Sequence, residues 1–199
     1  MKGIEEILEY AKSLVGVPYR WFRTGEPIHG DDKFWAKNGA PISRETIDKE
    51  NKCIVCTGLI NLMRRYNGLE IPGLDRSLDD INGYATAGTT GVWFAYLERK
   101  GNLQTLDTNK KYPKGTLLLR DYYDDDTDQG HVAVIIDEKG DTIFDQTILH
   151  SYADVEYNDV TEENQNVGQV GYTNFRDSHT YIPDGYYTHV CYPEDWILK

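Results

Sequence analysis

The sequence has no apolar run of membrane-spanning length and no cluster of basic residues. A membrane helix needs about 18 to 20 consecutive apolar residues, and no such run occurs among the 199 residues. The formal net charge of −12 argues against a nucleic-acid backbone as a partner, because phosphate binding depends on clustered Lys and Arg. We therefore expect neither a membrane span nor a nucleic-acid partner.

Cysteine is scarce. The chain has 3 cysteines, an odd number and too few for a disulfide scaffold, which is typical of a reducing compartment. The first sixteen residues are too polar and too evenly periodic for a secretory signal. As written, the sequence predicts a cytoplasmic protein with at least one free thiol; delivery to a cell wall by other means stays open.

The order of apolar patterns predicts the fold class. Apolar residues recur at helical spacing in the first half, whereas the second half has short runs rich in Val, Ile, Leu and Thr. The predicted helices cover residues 3–15, 56–66 and 91–100, and the predicted strands lie within 114–120, 131–136, 141–149 and 185–192. Helices followed by strands predict an α+β fold, in which the simplest arrangement of the strands is an antiparallel sheet.

Two long segments lack a clear period. Residues 19–50 are punctuated by Gly and Pro, and residues 151–185 are rich in Asn, Asp, Gln and Gly. We interpret the first as a loop pinned by Trp21, Phe22, Phe34 and Trp35, and the second as a loop or weak hairpin. The chain is then one domain, residues 1–199, with insertions at about 19–50 and 151–185.

Cys56 stands where a predicted helix begins. A helix N-terminus favours the thiolate, because its unpaired N–H groups and macrodipole stabilise an anion. Thr57 and Gly58 are small, so a substrate carbonyl could approach the sulfur, and the Cys56 amide could donate to an oxyanion. This pattern is typical of a cysteine nucleophile, which needs a base and a group to orient that base.

His131 is the candidate base. It opens the apolar strand "HVAVII" just after a polar turn. The next predicted strand, "DTIFDQTIL", carries Asp145 and Gln146, and His150 follows it. Any of these three could accept the second imidazole N–H and so set the tautomer that a general base needs.

Four segments in order resemble the NlpC-like papain-fold cysteine peptidases and their CHAP amidase relatives. They are "EEILEYAKSLVGVPYRWF", "CTGLINLMRRYNGLEIPG", "YPKGTLLLR" and "GHVAVIID". The first contains the family's Gly-x-Pro-Tyr, the second its Cys-Ser-Gly-Leu with Thr57 in place of Ser, and the last its His-Val strand. A set of motifs in the right order is more specific than any one of them.

The resemblance implies a papain-like core in which the Cys-bearing helix packs on an antiparallel sheet that carries the histidine. It implies Cys56 and His131 as catalytic residues and Tyr19 as a substrate contact. A four-residue turn in "DEKGD" would place the family's third residue at Asp145, our first choice, with His150 and then Gln146 as alternatives. The implied activity is hydrolysis of an amide or isopeptide bond in a peptide or peptidoglycan-derived substrate, with no cofactor.

Val55 departs from the family pattern. Wall peptidases of this family usually have Asp before the cysteine, implied to hold the free amine of the substrate. A peptidoglycan stem peptide is therefore the first candidate substrate, and the alternative is another amide, such as a γ-glutamyl conjugate or a protein side chain.

A different class of function also fits the cysteines. Cys53 and Cys56 could join His189 and Cys191 as ligands of a structural zinc ion in a non-catalytic binding domain. The acidic run "DYYDDDTDQGH" lacks the glycine position and closing Glu of a calcium loop, so we interpret it as a solvated turn whose charge would raise the pKa of His131.

Overall fold

A computed structural model describes residues 1–19, 43–49, 53–81, 87–120, 130–158, 163–166, 168–180, 183 and 185–198. Along these residues four helices come first and most of the strands follow, in an α+β arrangement. The helices are α1 (Ile4–Ser13), α2 (Arg44–Lys49), α3 (Cys56–Tyr66), α4 (Thr90–Arg99), α5 (Phe175–Thr180) and α6 (Pro193–Trp196). Short 3-10 turns span Asp79–Ile81 and Ile143–Asp145.

The strands form one main sheet and a separate pair. In chain order they are β1 (Gln104–Thr105), β2 (Leu117–Arg120), β3 (His131–Ile135), β4 (Thr147–Ser151), β5 (Val155–Asn158), β6 (Glu163–Asn166), β7 (Val170–Asn174) and β8 (His189–Cys191). The main sheet has six strands in the order β1-β8-β2-β3-β4-β7, and every neighbouring pair is antiparallel. The predicted α+β class with an antiparallel sheet is confirmed.

Helices α1 and α3 pack together, and α3 also packs on β3 and β4. The apolar face of α1 supplies Ile7, Leu8 and Ala11 to the core. Gly16, at φ 86, lets the chain turn after α1, since residues with a Cβ avoid that conformation. The helix predicted at 3–15 is confirmed.

The main sheet has two buried faces because side chains alternate along its strands. On the face toward α3, which we call the helix face, Val132, Val134 and Leu149 join the core of the helices. On the opposite face, which we call the second face, Ala133, Ile135 and Ile148 lie in a separate apolar cluster.

The two predicted insertions have more regular structure than expected. Residues 44–49, expected to be loop, form α2, and its Arg44 donates to the Val15 carbonyl oxygen at 2.5 Å. The four aromatic residues expected to pin the first loop lie outside the described residues.

In the second insertion the predicted hairpin is confirmed as the antiparallel pair of β5 and β6. The prediction missed β7, which extends the main sheet beside β4, and α5. None of the described helices is both long and apolar enough to cross a membrane.

Candidate active site

Helix α3 begins at Cys56, and the residues before it are held by two hydrogen bonds. Val55 is extended, with φ −82 and ψ 171, so the helix starts abruptly at the cysteine. The Ile54 N–H donates to Pro18 O at 2.9 Å, and Ser151 Oγ donates to Ile54 O at 2.6 Å. The first bond ties the approach to Cys56 to the segment after α1, and the second ties it to the end of β4.

The amides at the start of α3 suit anion binding. The first hydrogen bond of the helix runs from the Leu59 N–H to Val55 O, at 3.3 Å. The N–H groups in the first turn therefore have no carbonyl partner within the helix, as at any helix N-terminus. Cys56 is only 7% exposed, so its thiol lies in a low-dielectric surrounding. There the N–H donors stabilise an anion more strongly than they would in water.

His131 is the first residue of β3 and is 8% exposed. Its Nε2 lies 2.8 Å from Nδ1 of His150. The other ring nitrogen of His150, Nε2, lies 2.9 Å from Oγ1 of Thr173 on β7. The three side chains form a continuous hydrogen-bonded chain across β3, β4 and β7.

The chain allows two proton arrangements, because a neutral imidazole has one donor and one acceptor nitrogen. In the first, His131 Nε2–H donates to His150 Nδ1, and His150 Nε2–H donates to Thr173 Oγ1. This leaves His131 Nδ1 without a proton. In the second, every donor is reversed and His131 Nδ1 carries the proton, so only the first arrangement makes His131 a base at Nδ1. Among the described residues, that nitrogen has no hydrogen-bond partner.

Burial keeps both imidazoles neutral at pH 7. It lowers the pKa of His131 well below its usual value, and the adjacent His150 and the positive charge of Arg120 act in the same direction. Burial also lowers the pKa of His150, from its usual 6.5 to about 4. The pKa of His131 is lowered, not raised, and desolvation is the largest cause. The expected effect of the acidic run stays a prediction, because its residues 121–129 lie outside the described residues.

Cys56 and His131 come to the same end of the sheet on different faces. Ser151, bonded to the segment before Cys56, lies on β4 beside His150, which contacts His131. By alternation along the strands, His131 and His150 share the second face with Ala133 and Ile148, whereas Cys56 clusters with Val132 on the helix face. A contact between the thiol and the imidazole would thus form around the end of the sheet.

Asp145, our first choice for the third residue, does not contact His131. Its exposed carboxylate accepts the N–H groups of Asp141 and Thr142, at 3.1 and 3.2 Å, and closes the 3-10 turn. These bonds lower the pKa of Asp145. The partner of His131 is His150, the first of our alternatives, because β4 begins only after this turn.

Gln146, the other alternative, is fully buried but binds elsewhere. Its Oε1 accepts the Tyr112 N–H at 2.9 Å, and its Nε2 donates to the carbonyl oxygens of Tyr112 and Asp137, each at 2.7 Å. The side chain joins three backbone groups around the β3–β4 connection and has a structural role.

Tyr19, the predicted substrate contact, lies at the same end of the sheet as His150. It is 6% exposed, and its N–H donates to Gly168 O at 2.8 Å. The neighbouring Pro18 pairs with Gln169, just before β7.

Sequence reasoning missed several side chains at this end of the sheet. Thr173 and Ser151 complete hydrogen bonds across strands, and no motif marks either residue. The Tyr152 ring packs on His150 with centroids 4.9 Å apart, and the rings of Tyr186 and Tyr187 lie 5.7 and 6.2 Å from that of His131. The signal that could have found Ser151 is its place in "ILHS", two residues after a core leucine.

The proposed zinc ligands do not come together. Among the described residues, no group of three or more His, Cys, Asp or Glu side chains is placed to hold a metal ion. Cys191 lies in the core opposite Leu117, and the His189 ring contacts Phe94 edge-on. None of the 3 cysteines, all of them among the described residues, is in a disulfide.

No protein-family model matches this chain, and no curated protein or solved structure matches it.

Proposed function

We propose that this protein is a papain-like cysteine hydrolase that cleaves an amide or isopeptide bond with Cys56, His131 and His150. One observation carries the proposal: the buried pair of His131 and His150, 2.8 Å apart, lies at the end of the sheet where α3 begins with a cysteine. The resemblance to the NlpC-like peptidases supports the same assignment, with His150 in place of Asp145 as the third residue.

The chemistry follows from the roles of the three side chains. Nδ1 of His131 takes the thiol proton as the sulfur of Cys56 attacks the substrate carbonyl carbon. The amide at the start of α3 donates to the oxygen that becomes negative. His131 then gives the proton to the leaving amine, and a thioester remains on Cys56.

Water completes the cycle. His131 takes a proton from a water molecule that attacks the thioester, and the proton passes to the departing sulfur. The carboxylic acid leaves and the free thiol is restored.

The resting enzyme holds a neutral thiol and a neutral imidazole in this mechanism. Because burial lowers the pKa of His131 well below its usual value, a resting thiolate–imidazolium pair is disfavoured. Proton transfer accompanies the attack on the substrate, and His150 Nδ1 accepts a hydrogen bond from the imidazolium while it exists.

The first substrate to test is a peptidoglycan stem peptide, which the resemblance implies. Val55 favours the second candidate, an amide without a free amine next to the scissile bond. Its side chain is apolar and buried, 6% exposed, so it cannot form the ion pair that Asp would form there.

Alkylation of the three cysteines tests the catalytic pair. We would treat the folded protein with iodoacetamide at pH 6 to 9 and measure each cysteine by peptide mass spectrometry. Cys56 should react faster than Cys53 and Cys191, and His131→Ala should slow Cys56 by at least about tenfold, the low end of general-base effects.

His189→Ala is the matched control, because His189 also lies on the main sheet but contacts Phe94. It should leave the rate of Cys56 unchanged. Equal rates at all three cysteines, or no effect of His131→Ala, would overturn the hydrolase and favour a non-catalytic binding domain.

The substrate is tested separately. Purified peptidoglycan and a set of γ-glutamyl peptides would be incubated with the protein or with Cys56→Ser, and the products weighed by mass spectrometry. New fragments that depend on Cys56 identify the scissile bond.

A further inference from the structure

The hydroxyl of Thr173 is placed to set the proton arrangement of the two histidines. It lies 2.9 Å from His150 Nε2, at the far end of the chain from His131 Nδ1. Thr173 is two residues along β7 from Gly171, which pairs with His150. Diagonal neighbours of this kind on one face of a sheet are within side-chain reach.

The surroundings of His150 hold its ring for this contact. Tyr152 packs over the ring at 4.9 Å with an angle of 31°. A Cβ at Gly171 would come within 3.1 Å of the Tyr152 ring, so the glycine leaves room for that ring. The His150 ring is therefore held by Tyr152 on its face and by hydrogen bonds at both of its nitrogens.

Only one direction of the chain is compatible with a proton on His131 Nδ1 during the reaction. A doubly protonated His131 must donate from Nε2, so His150 must accept at Nδ1 and carry its own proton at Nε2. That proton then needs an acceptor inside a buried site, where an unpaired donor is costly. Thr173 Oγ1 is the acceptor at the right place.

We propose that Thr173 is a positioning residue whose hydroxyl accepts the His150 Nε2–H and thereby keeps His131 Nδ1 free of a proton. This inference rests on the proposed function, because it assigns the base to His131. Thr173 is partly exposed, so its own hydroxyl hydrogen can bond to water while the oxygen accepts from His150.

The test compares Thr173→Val, which removes the hydroxyl at nearly equal volume, with Thr173→Ser, which keeps it. Long-range ¹⁵N–¹H NMR spectra of the imidazoles at pH 7 distinguish protonated from unprotonated ring nitrogens. We expect an unprotonated His131 Nδ1 and a protonated His150 Nε2 in the wild type and in Thr173→Ser. In Thr173→Val we expect the opposite tautomers to become populated, with Cys56 alkylation about tenfold slower.

A protonated His131 Nδ1 in the wild type would overturn the proposal, even if Thr173→Val did not fold. The proposal would also be overturned if Thr173→Val showed the same tautomers as the wild type. Spectra and alkylation of the wild type together separate this proposal from the hydrolase itself: the expected tautomers with an unreactive Cys56 would overturn the hydrolase and leave the role of Thr173 intact.

Discussion

The rings of His131 and His150 meet edge to face, at an angle of 74° with centroids 5.1 Å apart, so that Nε2 of one points at Nδ1 of the other. In such a pair, the direction of the hydrogen bond between the rings fixes which nitrogen of each histidine carries the proton. The pair is the centre of the proposed site.

Replacing His150 should reduce catalysis far more than replacing Asp145. His150→Ala removes the acceptor for the His131 imidazolium, and we expect kcat/KM to fall by about 10²-fold or more. Asp145→Asn should leave kcat/KM unchanged, because the carboxylate only closes a turn. Both rates would be measured on the substrate found by mass spectrometry. Equal losses would restore Asp145 as the third residue.

The unfolding free energy should rise with pH between about 4 and 6.5. In this window the unfolded chain protonates His150 and the folded protein does not, because burial lowers the pKa of His150 to about 4. The shift corresponds to about 3 kcal/mol of stability, fully present above pH 6.5 and lost as the pH falls to 4. Urea titrations at four pH values check this, and the slope should flatten in His150→Gln. An unchanged slope in that variant contradicts the assignment.

Removing the Ser151 hydroxyl should destabilise the protein and loosen the approach to Cys56. In Ser151→Ala the buried Ile54 carbonyl loses its side-chain donor, which should cost about 1–3 kcal/mol. Ser13→Ala is the control, since Ser13 donates to a backbone carbonyl at the same 2.6 Å on an exposed helix face. Its unfolding free energy should change by less than about 0.5 kcal/mol.

Gln146→Ala should be among the most destabilising single substitutions. The change leaves the buried backbone groups of Tyr112 and the partly buried carbonyl of Asp137 without the amide that joins them, and we expect a loss of about 2–4 kcal/mol. Gln169→Ala, at an exposed glutamine, is the comparison in the same urea titration. A loss as small as that of Gln169→Ala would refute the structural role.

Crosslinking can test whether the thiol and the imidazole meet around the end of the sheet. A cysteine at position 131, in His131→Cys, should be joined to Cys56 by a short bifunctional thiol reagent. Ile135→Cys places a thiol on the same face of β3 at the other end of the strand, and it should not be joined. If neither variant is crosslinked to Cys56, positions 56 and 131 do not come close to each other and His131 is not the base.

The three longest helices and several strands could be predicted from the sequence because their signals are local. Apolar spacing near 3.6 or 2 residues, with glycine and proline at the ends, placed α1, α3 and β3 within two residues of where they lie. Strand β7 could not be predicted in this way: its residues Val170–Asn174 have only two apolar side chains, Val170 and Tyr172, and pairing with β4 makes them a strand.

Which residue contacts His131 as the third member of the proposed site depends on the path of the chain between β3 and β4. Counting residues through a tight hairpin led to Asp145. The chain instead makes a 3-10 turn at Ile143–Asp145, closed by Asp145 and anchored by Gln146, and β4 starts at Thr147. That path pairs Val134 with Leu149 and brings His150, not Asp145, to His131.

The sequence by itself determined the types of the longest helices and of strands β2 and β3, the cysteine at a helix start and the histidine at a strand start, because neighbouring residues carry those signals. Tertiary structure alone decided that Thr173, His150 and His131 form one hydrogen-bonded chain, since strand register sets which residues face each other. It also decided how strongly burial lowers the pKa of the two histidines, because desolvation depends on what the whole fold packs around them.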